Sequence, residues 1–202
     1  MPSQLVGLFK TLTWNDFPGL PDPKQPALDA FTSASFNLPV MTPVKVPGTT
    51  GFQFQDNVVI TISMSSSKSW KRQANLTSKG AKYASDLLEH EQRHYDIVAL
   101  IARDLFIEIM QLKGNTYPNP PAALADLRSI MTKFHGKAEK ISPIYDSVQQ
   151  TNHGKNSSQQ ATWNAMIRKS FTDLRNPAMS APDGTPYKVQ FLDVLSQNGI
   201  KP

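Results

Sequence analysis

The stretch Leu87-Leu88-Glu89-His90-Glu91-Gln92-Arg93-His94-Tyr95-Asp96-Ile97 decides how the chain is read. It lies in a run, Tyr83 to Leu112, that contains neither Pro nor Gly. Along that run Leu87, His90, His94, Val98, Ile101, Leu105, Ile109 and Leu112 recur every three or four positions, a spacing that predicts one long helix. Residues four apart are neighbours on a helix face, so His90 and His94 can offer both imidazoles to one ion. Glu91 is about 100° around the axis from His90, close enough to reach a water beside that ion without ligating it. His-Glu-x-x-His on a helix is the donor pattern of a catalytic Zn2+ centre with Glu as general base. The bland alternative is a helix that merely happens to carry two His.

Gly114-Asn115-Thr116-Tyr117-Pro118-Asn119-Pro120-Pro121 ends this helix in a turn. A second helix is expected from Pro121 to Lys140, with Leu124, Leu127, Met131, Phe134 and Ala138 on one face and Pro143 closing it. A short turn makes the two helices antiparallel. The segment after Lys140 therefore returns beside His90 and His94, and it contains Tyr145, Asp146 and His153. A third helix is expected from Ser157, where Ser157-x-x-Gln160 has capping-box spacing, with Ala161, Trp163 or Met166, Ile167 and Phe171 inward.

Towards the amino terminus, Pro18, Pro21, Pro23 and Pro26 exclude regular helix. Val58 to Ser65 alternates apolar and polar residues as a half-buried strand does, either at a sheet edge open to an extended peptide or in mid-sheet. The expected architecture is one α+β domain over residues 1–202. Residues 1–75 are mainly β in a largely antiparallel sheet, 76–175 are helical and carry the metal, and 176–202 form a tail. The tail has a candidate strand at Tyr187 to Val194.

A catalytic zinc site usually has three protein ligands. His153 is the preferred third, because a neutral imidazole leaves the charge of the ion available to acidify water. Asp146 is the next choice, or else the group that orients a ligating His; Asp86 is a weaker candidate for that orienting role. Glu108 is about 27 Å along the helix from His90 and is excluded. His135 falls short of the return segment. Asp96, about 200° from His94, faces away from the metal. Tyr145 is a candidate oxyanion donor, with a packing role as the alternative. A di-iron reading of Glu91-x-x-His94 needs a second such pair, and none of the other His has Glu three residues earlier.

His90-Glu91-Gln92-Arg93-His94-Tyr95-Asp96-Ile97 resembles the bacterial family called domain of unknown function 922, described as predicted secreted zinc-dependent proteases. The pieces that carry the resemblance include Leu12-Thr13-Trp14-Asn15-Asp16-Phe17-Pro18-Gly19, Ser69-Trp70 and Tyr145-Asp146. They continue with Thr151-Asn152-His153-Gly154 and Gln160-Ala161-Thr162-Trp163, so that it spans roughly residues 12 to 175. The resemblance implies a zincin-like metallopeptidase, supports His153-Gly154 as part of the site, and implies a secreted or periplasmic location. The amino terminus shows no positive stretch before its short apolar run and no small-residue cleavage site, so no secretory signal is read there.

Composition narrows the remaining classes. The chain has no Cys, which excludes disulfides, thiolate catalysis and Cys-based zinc sites. Its net charge of +5 is spread over scattered Lys and Arg, the pattern of a solvated face rather than of a nucleic-acid interface. No apolar run approaches the length of a membrane span. The expected partner is a peptide or protein substrate, and the expected state is a monomer. Two other functions stay open: an amidase acting on cell-wall peptides, and a non-catalytic zinc-stabilised envelope binding module, which would have no use for Glu91.

Overall fold

The computed structural model describes residues 3–172 and 190–201. Short strands come first: β1 (Gln4–Val6), β2 (Ala30–Phe31), β3 (Ala34–Phe36), β4 (Pro43–Lys45), β5 (Phe52–Phe54), β6 (Val59–Met64) and β7 (Trp70–Lys71). The helices follow: α1 (Gln73–Lys79), α2 (Ala81–Leu112), α3 (Pro120–Asp146), α4 (Ser157–Thr172) and α5 (Phe191–Gln197). The class is α+β. No helix among the described residues is long and apolar enough to cross a membrane.

The β region forms three small sheets rather than one. β6 is the middle strand of the order β1-β6-β3, parallel to β1 and antiparallel to β3. β2 pairs with β7 and β4 with β5, both antiparallel. The alternation read from Val58 onward is real: Val58, Ile60 and Ile62 are buried. Because β6 is flanked on both sides, the edges belong to β1 and β3 instead. Ser65 N donates to Ser33 O, and Asn37 N donates to Thr61 O, so β3 turns these odd-numbered positions toward β6. Antiparallel alternation directs the backbone groups of Ala34 and Phe36 the other way.

α2 is the axis of the molecule. Every residue from His94 to Ile107 is buried, because β3 and β6, α3, α4 and α5 all pack on it. A helix apolar all round is stable only when enclosed in this way. Even Arg103 and Asp104 are enclosed. Arg103 Nη1 donates to Ser170 O at 2.8 Å, while Asp104 accepts from Arg103 Nη2 at 2.9 Å and from Leu192 N at 3.0 Å. This pair fastens α4 and α5 to α2.

Three boundaries differ from the sequence expectation, and a fourth holds with a different cap. α1 was not foreseen; Gly80, at φ +87°, separates it from α2. α3 does not stop at Pro143 but runs to Asp146. Pro143 removes one backbone donor, and the buried Ile141 and Tyr145 on either side hold the last turn in place. α4 is capped by Asn156, whose Oδ1 accepts from Gln159 N at 3.2 Å, so Ser157 is its first residue; Ala161 is exposed. Residues 191–194 are helical in α5 instead of the expected strand. Phe191, Val194 and Leu195 bury one face, and Asp193 closes a capping box with Gln190. The remainder of that expected strand, 187–189, lies outside the described residues.

Candidate metal centre

The extra turn of α3 beyond Pro143 brings Asp146 against α2. Asp146 Oδ1 is 3.0 Å from His90 Nε2 and 3.0 Å from His94 Nε2. The three donor atoms lie within 4.8 Å of one another, and this His-His-Asp group could hold a metal ion. Two imidazole nitrogens and a carboxylate oxygen need a cation between them, either protons or a metal. Zn–N and Zn–O bonds of about 2.0–2.1 Å give a tetrahedral edge of about 3.3 Å, so the two 3.0 Å spacings from Asp146 Oδ1 need only a small expansion. The residues fit the group.

The electrostatics favour positive charge, on a proton or an ion, between these groups. Burial works against a charged His94, but the Asp146 carboxylate outweighs it and raises the His94 pKa. Burial likewise pushes Asp146 up. The attraction of His94, with hydrogen bonds from both imidazoles, overcomes this and holds its carboxyl well below the usual carboxylate range.

The sequence favours His153 as the third ligand, whereas the atom that converges on the two imidazoles in the structure is Asp146 Oδ1. His153 is close by, with Nδ1 3.6 Å from Asp146 Oδ1, but it lies outside the group of three converging atoms. Three successive residues carry the chain round to it with positive φ: Asn152 at 49°, His153 at 51° and Gly154 at 77°. A Cβ at Gly154 would sit 3.3 Å from His90 Cγ, so only Gly lets this turn press on the imidazole.

Glu91 is buried, and its Oε2 accepts from Thr32 Oγ1 at 2.7 Å. Thr32 lies between β2 and β3, and nothing in its sequence context marks it. The sequence marks Gln160 as part of a capping box and of a family-like motif, not as a site residue. Its Oε1 is 3.0 Å from His90 Nδ1, the nitrogen that keeps its proton when Nε2 ligates. Gln160 Nε2 donates to Tyr145 Oη at 2.7 Å and to Asn164 Oδ1 at 3.1 Å. Asn164 Oδ1 also accepts from Arg93 Nε at 2.7 Å. The presence of Gln160 among the family-like motifs was the available signal.

Tyr145 is fully buried, its ring stacked on His90 with centroids 4.7 Å apart and wedged against Trp163. Its Oη is 2.9 Å from Gln160 Oε1 and 3.4 Å from the His90 carbonyl. Burial pushes this phenol far above its ordinary pKa. The hydroxyl, the expected oxyanion donor, is engaged inside the protein, and the ring packs on His90. Asp96 faces away from the metal group, bound to Gln92 and Arg93. Asp86 pairs with Lys82, Glu108 accepts from Gln190, and His135 stands 3.6 Å from Glu139; none of them reaches the three donors.

Two cavities meet at the metal group. A void of about 60 Å³ is shared by His90, Glu91, His94, Asp146 and His153, room for roughly two waters. A cleft of about 660 Å³ opens from it between β3 and α3, with Leu28, Phe31, Phe36, Val98, Ala138 and Pro143 in its walls. The arrangement is a buried carboxylate, Glu91, beside a three-donor group at the floor of an apolar cleft. No family model, curated protein or solved structure matches this chain.

Proposed function

We propose that this protein is a zinc-dependent peptidase in which His90, His94 and Asp146 hold the metal and Glu91 is the general base. One observation carries the reading: His90 Nε2, His94 Nε2 and Asp146 Oδ1 converge, and Glu91 lines the same void. Two imidazoles, a carboxylate and an open position make a catalytic rather than a structural zinc set. When bound, zinc polarises the scissile carbonyl and acidifies water. Glu91, oriented by Thr32, takes a proton from the attacking water and delivers it to the departing amine nitrogen. Gln160 and Tyr145 hold His90 in register. The free backbone groups of Ala34 and Phe36 can pair with an extended peptide along β3, and the apolar walls of the cleft suit its side chains. Tyr145-Asp146, His153-Gly154 and Gln160, three of the motifs behind the resemblance to the family of predicted zinc-dependent proteases, meet around His90, which supports the same reading.

The test is elemental analysis of protein purified without added metal, paired with digestion of casein and of peptidoglycan by the parent and Glu91→Gln. One zinc per chain is expected in both proteins, with turnover lower by about 10²–10⁴-fold in the variant. The two substrates separate a protein peptidase from a cell-wall amidase. Protein without a divalent metal, or a variant as fast as the parent, overturns the reading.

A further inference from the structure

We propose that His153 is a catalytic residue of this site, donating a hydrogen bond from Nε2–H to the scissile carbonyl oxygen as that oxygen gains negative charge. The proposal rests on the peptidase reading above and adds a group to it. His153 lines both the small void beside Glu91 and the large cleft, so it stands where they join. Its side chain is 43% exposed, against 2% for His90 and 10% for His94, as suits a group that meets substrate rather than metal. Its Nδ1 is 3.6 Å from Asp146 Oδ1, beyond hydrogen-bond distance, so the single proton of the neutral ring can sit on Nε2. Tyr145, the other candidate donor, is engaged within the protein.

The backbone supports the assignment independently. Left-handed conformation is uncommon for residues other than Gly, and Asn152 and His153 adopt it in succession. Hydrogen bonds from Asn152 N to Ser147 O at 2.9 Å, from His153 N to Asp146 O at 3.3 Å and from Asn156 N to Thr151 O at 2.8 Å hold the turn closed. Strain maintained in this way concentrates where side-chain placement matters to function.

In the reaction, the water oxygen bonds to the carbonyl carbon and the C=O π pair moves onto the carbonyl oxygen, where His153 stabilises it. The pair then returns, the C–N bond breaks, and the proton taken by Glu91 goes to the nitrogen. The proton on His153 stays on the ring throughout.

The experiment compares the parent with His153→Ala, His153→Asn, His153→Gln and Asp146→Ala. It reads zinc affinity by chelator competition, and kcat and KM on a fluorogenic peptide. Asn tolerates the left-handed backbone, but its amide extends only to the place of Nδ1, whereas that of Gln reaches the place of Nε2. All three variants at position 153 should hold zinc about as tightly as the parent with KM little changed, while Asp146→Ala loses the metal. The expected kcat is lower by about 10²–10³-fold in His153→Ala and His153→Asn, and roughly tenfold better than these in His153→Gln. Zinc lost on His153→Ala as on Asp146→Ala would make His153 a ligand and overturn the proposal. So would an unchanged kcat, or equal recovery by Asn and Gln. A parent that binds no zinc, or full turnover by Glu91→Gln, would instead overturn the peptidase reading itself.

Discussion

Replacing Gln160 with Leu keeps the bulk of the side chain and removes one acceptor and two donors at the back of the metal group. His90 Nδ1, 3.0 Å from Gln160 Oε1 in an almost fully buried ring, then has no orienting partner. Losing the group that orients a ligating imidazole typically lowers metal affinity about 10–100-fold. That range corresponds to about 1.4–2.7 kcal/mol. The metal-free protein is also weakened, because a buried N–H without an acceptor costs about 1–3 kcal/mol. In a domain of this size each kcal/mol lowers Tm by about 2–4 °C. Competition with a chromophoric chelator measures the first effect, and thermal unfolding after exhaustive chelation measures the second. The refuting result is a zinc affinity within twofold of the parent together with an unchanged metal-free Tm. Gln160 would then not be what orients His90.

Gly154→Ala forces an L-residue to φ near +77° with its Cβ 3.3 Å from the His90 ring. A stability loss of about 1–2 kcal/mol and weaker zinc binding are expected in denaturant titration and chelator competition; parent-like values in both would contradict the close packing of this turn. Asp104→Ala leaves the Arg103 guanidinium buried without its counter-charge and Leu192 N without its acceptor, a loss of about 3–5 kcal/mol in urea unfolding, with under 1 kcal/mol refuting it. Burial raises the Asp29 pKa, but hydrogen bonds from Lys79, Tyr83 and Asn75 overcome this and lower it to about 2. Its stabilisation is therefore complete above the ordinary carboxylate value near 4 and is lost as pH falls from about 4 to about 2. Allowing for the exposure of Lys79, the amount is about 1 kcal/mol. Asp29→Asn should flatten that part of the pH–stability profile, and an unaltered profile would exclude the assignment.

The parts of the fold legible in the sequence are those written in short periods. The spacing of apolar residues in α2, the alternation in β6 and the antiparallel return of α3 follow from i, i+2 and i, i+4 relations that neighbouring residues settle among themselves. The elements misread are those in which distant contacts override a local signal. Pro143 is a valid stop, yet the buried Ile141 and Tyr145 carry α3 three residues past it. Phe191 to Val194 has strand-like composition, yet α2 and α4 take its apolar face as a helix.

The candidate site divides along the same line. His90, Glu91 and His94 share one helical face wherever the chain goes, because a rise of about 1.5 Å and a turn of about 100° per residue place them there. Sequence alone therefore determined the pair of imidazoles and the carboxylate beside them. Only the packing of α3, β3 and α4 on α2 decided that Asp146 joins the pair, that Thr32 holds Glu91, and that Gln160 orients His90. Those partners lie 56, 59 and 70 residues from the atoms they touch. At such separations the choice among Asp146, His153 and Tyr145 depends on where each helix ends and how it rotates against its neighbour, and the shared core sets both.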